Sequence, residues 1–255
     1  MRATMLVDTT RCIACRGCQA ACKNWNGLPA ENTKFTGYYE NPPRYTPTTW
    51  TRVTMREYER EDGSIQWLFG KLQCLHCANA SCVMVCPTGA LHHTPEGTVL
   101  VDPKKCIGCN YCVGACPFGV AQLDTIKGVM RKCTFCYDRI TNGLTPMCVK
   151  TCPTGAIWYG DRVEMVAKAY AIVDGLKAKG ISGARVYGPD IVGGTGTVYV
   201  LTDLPSKYGL PDEPEIPVFS RVWNVLFGPL RALAVAGLAL GLLANRIKVK
   251  DFSKE

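Results

Sequence analysis

The residues able to do chemistry are cysteines. Sixteen of them stand in four groups: Cys12, Cys15, Cys18 and Cys22; Cys74, Cys77, Cys82 and Cys86; Cys106, Cys109, Cys112 and Cys116; Cys133, Cys136, Cys148 and Cys152. None lies outside these groups. The first and third read C-x2-C-x2-C-x3-C, the second C-x2-C-x4-C-x3-C and the fourth C-x2-C-x11-C-x3-C, with proline directly after Cys86, Cys116 and Cys152. Three thiolates at steps of three wrap a loop around one iron–sulfur cubane, and a fourth is thrown off to a neighbouring one. A disulfide framework gives no reason for such tight quartets and suits a small secreted chain. Structural zinc usually takes separated C-x2-C knuckles. Spacing leaves the partnership of the groups open. Tandem pairing joins the first with the second and the third with the fourth; nested pairing joins the first with the fourth and the second with the third.

The elements that must position these thiolates repeat along the chain. Residues 6–22 (LVDTTRCIACRGCQAAC) and 100–116 (LVDPKKCIGCNYCVGAC) agree at nine of seventeen positions, and CPTGAL at 86–91 echoes CPTGAI at 152–157. This is the pattern of a duplicated two-cluster bacterial ferredoxin. A short strand (5–8, 99–102) is expected to feed each ligand loop, a short helix to carry the last cysteine away, and proline to stop the helix. Arg52–Arg56 and Ile65–Phe69, around the turn 61–64, predict a β-hairpin. Residues 161–179 have helical periodicity ended by Gly180, a helix expected to pack on a cluster domain without chemistry. Gly193, Gly194 and Gly196 run into a strand-like segment, 198–201, rather than a helix, which argues against a phosphate-binding loop.

The chain of 255 residues is 47% apolar and 20% charged, so it is not a disordered tail, and it has length for one large domain or two small ones. Its net charge of +8 counts thiols as neutral. Four 4Fe–4S clusters with their thiolates, at about −2 each, would balance it, so the basic excess needs no nucleic-acid partner.

With these motifs the sequence resembles the four-cluster electron-transfer subunits of molybdenum and tungsten bis-pterin oxidoreductases. Within them it is most similar to the iron–sulfur (beta) subunit of membrane-bound formate dehydrogenase. The narrower likeness rests on CIACRGCQAACK at 12–23, LPAE at 28–31, NPP at 41–43, VYVL at 198–201, YGLP at 208–211 and a hydrophobic C-terminal segment. The resemblance implies nested pairing: Cys12, Cys15, Cys18 and Cys152 on one cluster; Cys22, Cys133, Cys136 and Cys148 on a second; Cys74, Cys77, Cys82 and Cys116 on a third; Cys86, Cys106, Cys109 and Cys112 on a fourth. It implies an α+β fold of two intertwined bacterial-ferredoxin-like domains, a duplicated two-cluster module, with one C-terminal transmembrane helix. The expected divisions are 1–30 with 130–160 as the first ferredoxin-like domain, a covering segment 31–64 that includes the hairpin's start, 65–129 as the second domain, an extension 161–219, a membrane helix 222–245 and a tail 246–255. It implies no catalysis by this chain. Electrons from formate, oxidised at a Mo or W bis-pterin centre on a catalytic subunit, would pass through four 4Fe–4S clusters to a membrane cytochrome b holding haem b, and on to quinone. Trimers of the three-subunit unit are expected by analogy. The rival wirings are a polysulfide or thiosulfate reductase, a hydrogenase complex, or a standalone polyferredoxin carrier.

Residues 225–244 are apolar save Arg231, long enough at ~1.5 Å per residue to cross a ~30 Å bilayer core. Gly237 and Gly241 would let another helix approach. Arg246, Lys248, Lys250 and Lys254 follow this segment while acidic residues precede it, which predicts a cytoplasmic C-terminus and periplasmic cluster domains. No signal peptide is expected ahead of the first strand; in the resemblance, export rides on the partner's twin-arginine signal. His76 is expected either to hydrogen-bond a nearby cluster or to lie packed at the surface. His92 and His93 read as a turn, and Arg11, Lys105 and Lys132 either stabilise anionic clusters or are solvated.

Overall fold

The computed structural model describes residues 2–35, 37–223 and 225. Its central element is the strand Ala3–Asp8, buried along its whole length. It is covered on both faces, which is why it is a continuous buried run rather than an alternating one. Leu6 packs with Met165, Ala169 and Val173 of the helix Arg162–Ala178. Ala3, Met5 and Val7 face the cysteine-bearing side with Phe135, Cys18 and Cys148. The strand pairs antiparallel with Ile157–Asp161 and parallel with Thr197–Leu201, which in turn pairs with Arg185–Tyr187. Two strands of the region 161–219, Arg185–Tyr187 and Thr197–Leu201, thus belong to this sheet, and all five residues of the second are buried.

The hairpin predicted at 52–69 runs further, Arg52–Glu59 against Ile65–Leu72, in the register Arg52 to Leu72 and Glu59 to Ile65. Two smaller hairpins, Leu91–His93 with Val99–Val101 and Gln122–Asp124 with Val129–Arg131, stand beside the second and third cysteine groups. His92 and His93 thus lie in a strand, not the turn their neighbours suggested.

The helix at 161–179 forms as Arg162–Ala178, with the Asp161 carboxylate accepting from the Val163 N–H at 2.9 Å and Gly180 left-handed just past its end. The segment between the first helix and the hairpin is pinned by carboxylates. Glu31 accepts from the hydroxyls of Thr46 (2.6 Å), Thr48 (2.7 Å) and Thr49 and from Lys23 Nζ (3.2 Å). Buried Glu40 pairs with Arg52 (2.7 Å) and Arg56 (2.9 Å). Tyr208, fully buried, meets Thr202 Oγ1 at 2.8 Å and accepts from the Thr54 hydroxyl at its carbonyl.

The expected membrane helix 222–245 and the tail 246–255 fall outside the described residues except at 222, 223 and 225. Among the described residues no helix is long and apolar enough to cross a membrane.

Candidate metal centres

Four short helices set the geometry: Gly17–Trp25, Ser81–Met84, Tyr111–Ala115 and Met147–Thr151. Each carries or leads into two cysteines four residues apart: Cys18 and Cys22, Cys82 and Cys86, Cys112 and Cys116, Cys148 and Cys152. Four residues are about one helical turn, ~5–6 Å, so the two sulfurs serve sites one above the other.

Around these helices the structure forms four small cavities, each lined by four cysteines. The first is lined by Cys12, Cys15, Cys18 and Cys152, the second by Cys22, Cys133, Cys136 and Cys148. The third is lined by Cys74, Cys77, Cys82 and Cys116, the fourth by Cys86, Cys106, Cys109 and Cys112. The outer cysteine groups thus meet each other, and so do the inner ones. All sixteen cysteines are free of S–S bonds. Among the described residues no three or more His, Cys, Asp or Glu side chains are drawn together for a single metal ion.

The loops share a backbone device. The second residue after the first cysteine of each group has positive φ: Ala14 (54°), His76 (49°), Gly108 (67°) and Phe135 (61°). Only one of the four is glycine, so three loops hold a side chain in a conformation costing ~1–2 kcal/mol. Main-chain N–H groups also donate to sulfur: Leu91 to Cys86 Sγ (3.5 Å), Met130 to Cys106 Sγ (3.4 Å), Phe135 to Cys133 Sγ (3.3 Å) and Ala156 to Cys152 Sγ (3.3 Å). The CPT repeats place Thr88 and Thr154 hydroxyls 3.8 and 3.7 Å from Cys86 and Cys152 Sγ.

Such donors favour anionic sulfur, and burial opposes it. Burial first, with neighbouring thiolates adding to it, pushes the Cys18, Cys112 and Cys136 thiols up to about 12 and drives Cys77, Cys82 and Cys133 upward as well. Four thiolates can share one of these cavities only if cations inside it neutralise them. An iron–sulfur centre supplies that charge, so the donor set and the cavity fit such a group.

Lysines missed or undervalued in the sequence line the same walls. Lys71, fully buried, lines the first cavity; its Nζ donates to Gln73 Oε1 and lies 3.5 Å from Met5 Sδ. Gln73 and Met5 line the second cavity, and Met5 Sδ is 3.9 Å from Cys148 Sγ. Lys132 is buried too, donating to the Val99 carbonyl and, at 3.0 Å, to the Cys133 carbonyl. Arg11 lies over Trp158 instead (5.1 Å), and exposed Lys105 pairs with Asp102 (3.6 Å). His76 is fully buried on the wall of the third cavity, not at the surface. The glycine-rich segment fastens the loop holding it. Ala78 N–H donates to the Gly194 carbonyl (2.8 Å), Gly196 N–H to the Leu75 carbonyl (2.7 Å), and Thr195 bridges Cys77. At Gly196 an added Cβ would press on His76 Cβ at 3.2 Å.

The cavities form a row. Lys71, Gln73 and Met5 part the first from the second. Phe135 on the second meets His76 on the third edge-on at 4.9 Å. Ala80, Val85, Ala115 and Ala121 pack between the third and fourth. Exposed cysteines occur only at the ends of the row: Cys15 at the first cavity and Cys109 at the fourth, beside exposed Ile13 and Ile107. Near the fourth cavity, Trp223 packs on Tyr111 at 5.0 Å.

Family models described as 4Fe-4S dicluster domain match residues 11–90 and 65–162. A formate dehydrogenase iron-sulfur subunit of Haemophilus influenzae is 39% identical over 96% of this chain and 80% of its own length. The nitrate-inducible formate dehydrogenase iron-sulfur subunit of Escherichia coli is 39% identical over 96% of this chain and 84% of its own. A formate dehydrogenase subunit beta of Megalodesulfovibrio gigas is 45% identical over 73% of this chain and 88% of its own.

Proposed function

This chain belongs to the iron–sulfur subunits of formate dehydrogenase, and on that premise we propose that it is the electron-transfer subunit between a formate-oxidising catalytic subunit and a membrane acceptor. The first cavity's Cys12, Cys15, Cys18 and Cys152 hold one 4Fe–4S group, and Cys22, Cys133, Cys136 and Cys148 a second. Cys74, Cys77, Cys82 and Cys116 hold a third, and Cys86, Cys106, Cys109 and Cys112 a fourth. When bound, each group takes up and gives back one electron.

The chain's own residues supply the rest. Apolar walls such as Val85, Leu91, Val101 and Val113 at the fourth cavity exclude water. Main-chain N–H donors at Cys86, Cys106, Cys133 and Cys152 disperse negative charge on sulfur. The i, i+4 cysteine pairs hold neighbouring sites at fixed spacing. The two exposed ends serve as points of exchange with partners, the first cavity facing the catalytic subunit with its Mo or W bis-pterin centre. The fourth faces a cytochrome b subunit holding haem b, because Trp223, which leads into the apolar 225–244 segment, packs beside it. That segment anchors the subunit as a single membrane helix with the cluster domains in the periplasm and the tail in the cytoplasm, and trimers of the three-subunit unit complete the assembly.

The observation that carries this reading is the row of four cavities, each lined by cysteines from two separate stretches of chain, with the exposed cysteines, Cys15 and Cys109, at its two ends. The test is purification of the complex in mild detergent, with iron analysis and formate-dependent reduction of a dye and of a quinone. About four irons per cavity, a large Mo- or W-containing partner and quinone reduction are expected. A colourless subunit, or one with S–S bonds at these positions, would overturn the reading.

A further inference from the structure

His76 is a buried histidine with one ring nitrogen accounted for and the other not. Its Nδ1 is 3.0 Å from the main-chain nitrogen of Val99. A backbone N–H can only donate, so Nδ1 is the acceptor and carries no proton. An imidazole whose Nδ1 is a bare acceptor keeps one ring proton and is neutral. The single ring proton therefore sits on Nε2. That nitrogen is buried and has no hydrogen-bond partner. A buried donor left unmade is costly, so one that persists has a partner not made of protein or a role that offsets the strain. The residue is further constrained: its φ of 49° is left-handed, and Gly196 closes over its Cβ. The chain thus spends two unfavourable features on holding this ring at the wall of the cavity formed with Cys74, Cys77, Cys82 and Cys116.

We propose that His76 donates its Nε2–H to a sulfur atom of the iron–sulfur group in the third cavity. This rests on the proposed function, because it needs that group in place. A neutral N–H donor stabilises the more negative, reduced state, so it raises the ease of reduction of this one site. Val99 is what makes the donor permanent: by holding Nδ1 unprotonated it fixes the tautomer. The Phe135 ring, its plane at 79° to the imidazole, braces it on the side of the second cavity. The competing destination for the proton is the Phe135 ring face, a weak N–H···π contact.

The test uses the whole complex, reduced stepwise and followed by electron paramagnetic resonance, with histidine labelled with 15N at the ring nitrogens. Pulsed measurements on the wild type are expected to show a 15N coupling to one reduced cluster, absent in His76→Leu. His76→Leu is expected to lower one midpoint of the four by the equivalent of about tenfold in the oxidised-to-reduced ratio, ~59 mV for one electron. His76→Gln, which keeps an N–H donor, is expected to recover most of that shift. Four clusters with no histidine coupling in the wild type, or four unmoved midpoints in His76→Leu, would overturn the inference and send the proton to Phe135 while leaving the proposed function standing. Should His76→Leu not assemble its third cluster, the wild-type coupling decides alone. Fewer than four clusters in the wild type by iron count, with the third missing, would remove both.

Discussion

Replacing Lys71 with methionine tests whether the wall between the first and second cavities sets potentials or merely fills space. Methionine has a similar length and no charge, so packing is largely kept. Burial works against the Lys71 ammonium, but the thiolates of Cys148, Cys18, Cys133 and Cys22 outweigh it and raise the lysine above its usual range, so it is charged at neutral pH. Its Nζ lies 3.5 Å from Met5 Sδ, which lies 3.9 Å from Cys148 Sγ. The ammonium is therefore no more than about 7.4 Å from a proposed ligand sulfur, and at an effective dielectric of about 20 a unit charge there is worth about 2 kcal/mol. For a one-electron step that is on the order of 100 mV. A cation favours the reduced state, so Lys71→Met lowers the midpoints of the first two clusters, with a smaller effect on the others. The assay is a redox titration of the intact complex followed by electron paramagnetic resonance, with iron content measured on the same sample. Full iron content and all midpoints within about 20 mV of wild type, a small fraction of the Coulomb estimate, would show that Lys71 is screened and that the reasoning is wrong.

Gly108→Ala would bring a Cβ to 2.7 Å from the Gly128 carbonyl oxygen at a φ of 67°, a clash of backbone on backbone added to left-handed strain. The expected outcome is loss of the fourth cluster alone, about twelve irons for sixteen, with formate-dependent dye reduction kept and quinone reduction lost; unchanged iron content would count against the loop argument. At Glu31, burial opposes the charge, yet the hydroxyls of Thr46, Thr49 and Thr48 and the Lys23 ammonium hold the carboxyl at about 2. Its folded pKa is depressed, so its contribution is complete above the ordinary carboxylate value and is lost as pH falls from there towards 2. Limited proteolysis is expected to cut 26–51 in Glu31→Gln at neutral pH but in the wild type only in that acid window, and equal resistance of both would refute the clamp.

The cysteines and the repeat were legible because their chemistry is local: a ligand loop is written in consecutive residues, and so are the hairpin at 52–72 and the helix at 162–178. The assembly was not. Spacing allowed tandem and nested pairings alike, because which groups meet depends on where Ala3–Asp8 lies in the sheet, and that is a matter of long-range pairing. The sheet itself was only half readable. VYVL at 198–201 announces a strand, but nothing local says that it pairs in parallel with residues almost two hundred positions earlier. Lys71 went unnoticed because a lysine near the end of an alternating strand reads as solvent-facing. It is buried because Lys71 and Gln73, on the face opposite Leu72, are covered by Met5 of the central strand. Of the loop residues with positive φ, only Gly108 advertises itself; Ala14, His76 and Phe135 are held there by what surrounds them.

The walls along the row are not alike, and this bears on how such a subunit works. Lys71 stands between the first and second cavities, and Lys132 lines the third together with His76. Among the described residues no lysine, arginine or histidine lines the fourth, whose wall is Val85, Leu91, Val101, Val113, Leu123 and Met130 among its apolar members. Fixed positive charge inside a protein is screened far less than charge at its surface. The two buried lysines therefore matter more to the potentials than the many exposed basic residues that give the chain its net charge. The relief of the path is then written in a handful of wall residues, while the cysteines, alike at all four sites, set only where electrons can rest. A chain of this design can be retuned for a different donor or acceptor by changing Lys71, His76 or Lys132 without moving a single ligand.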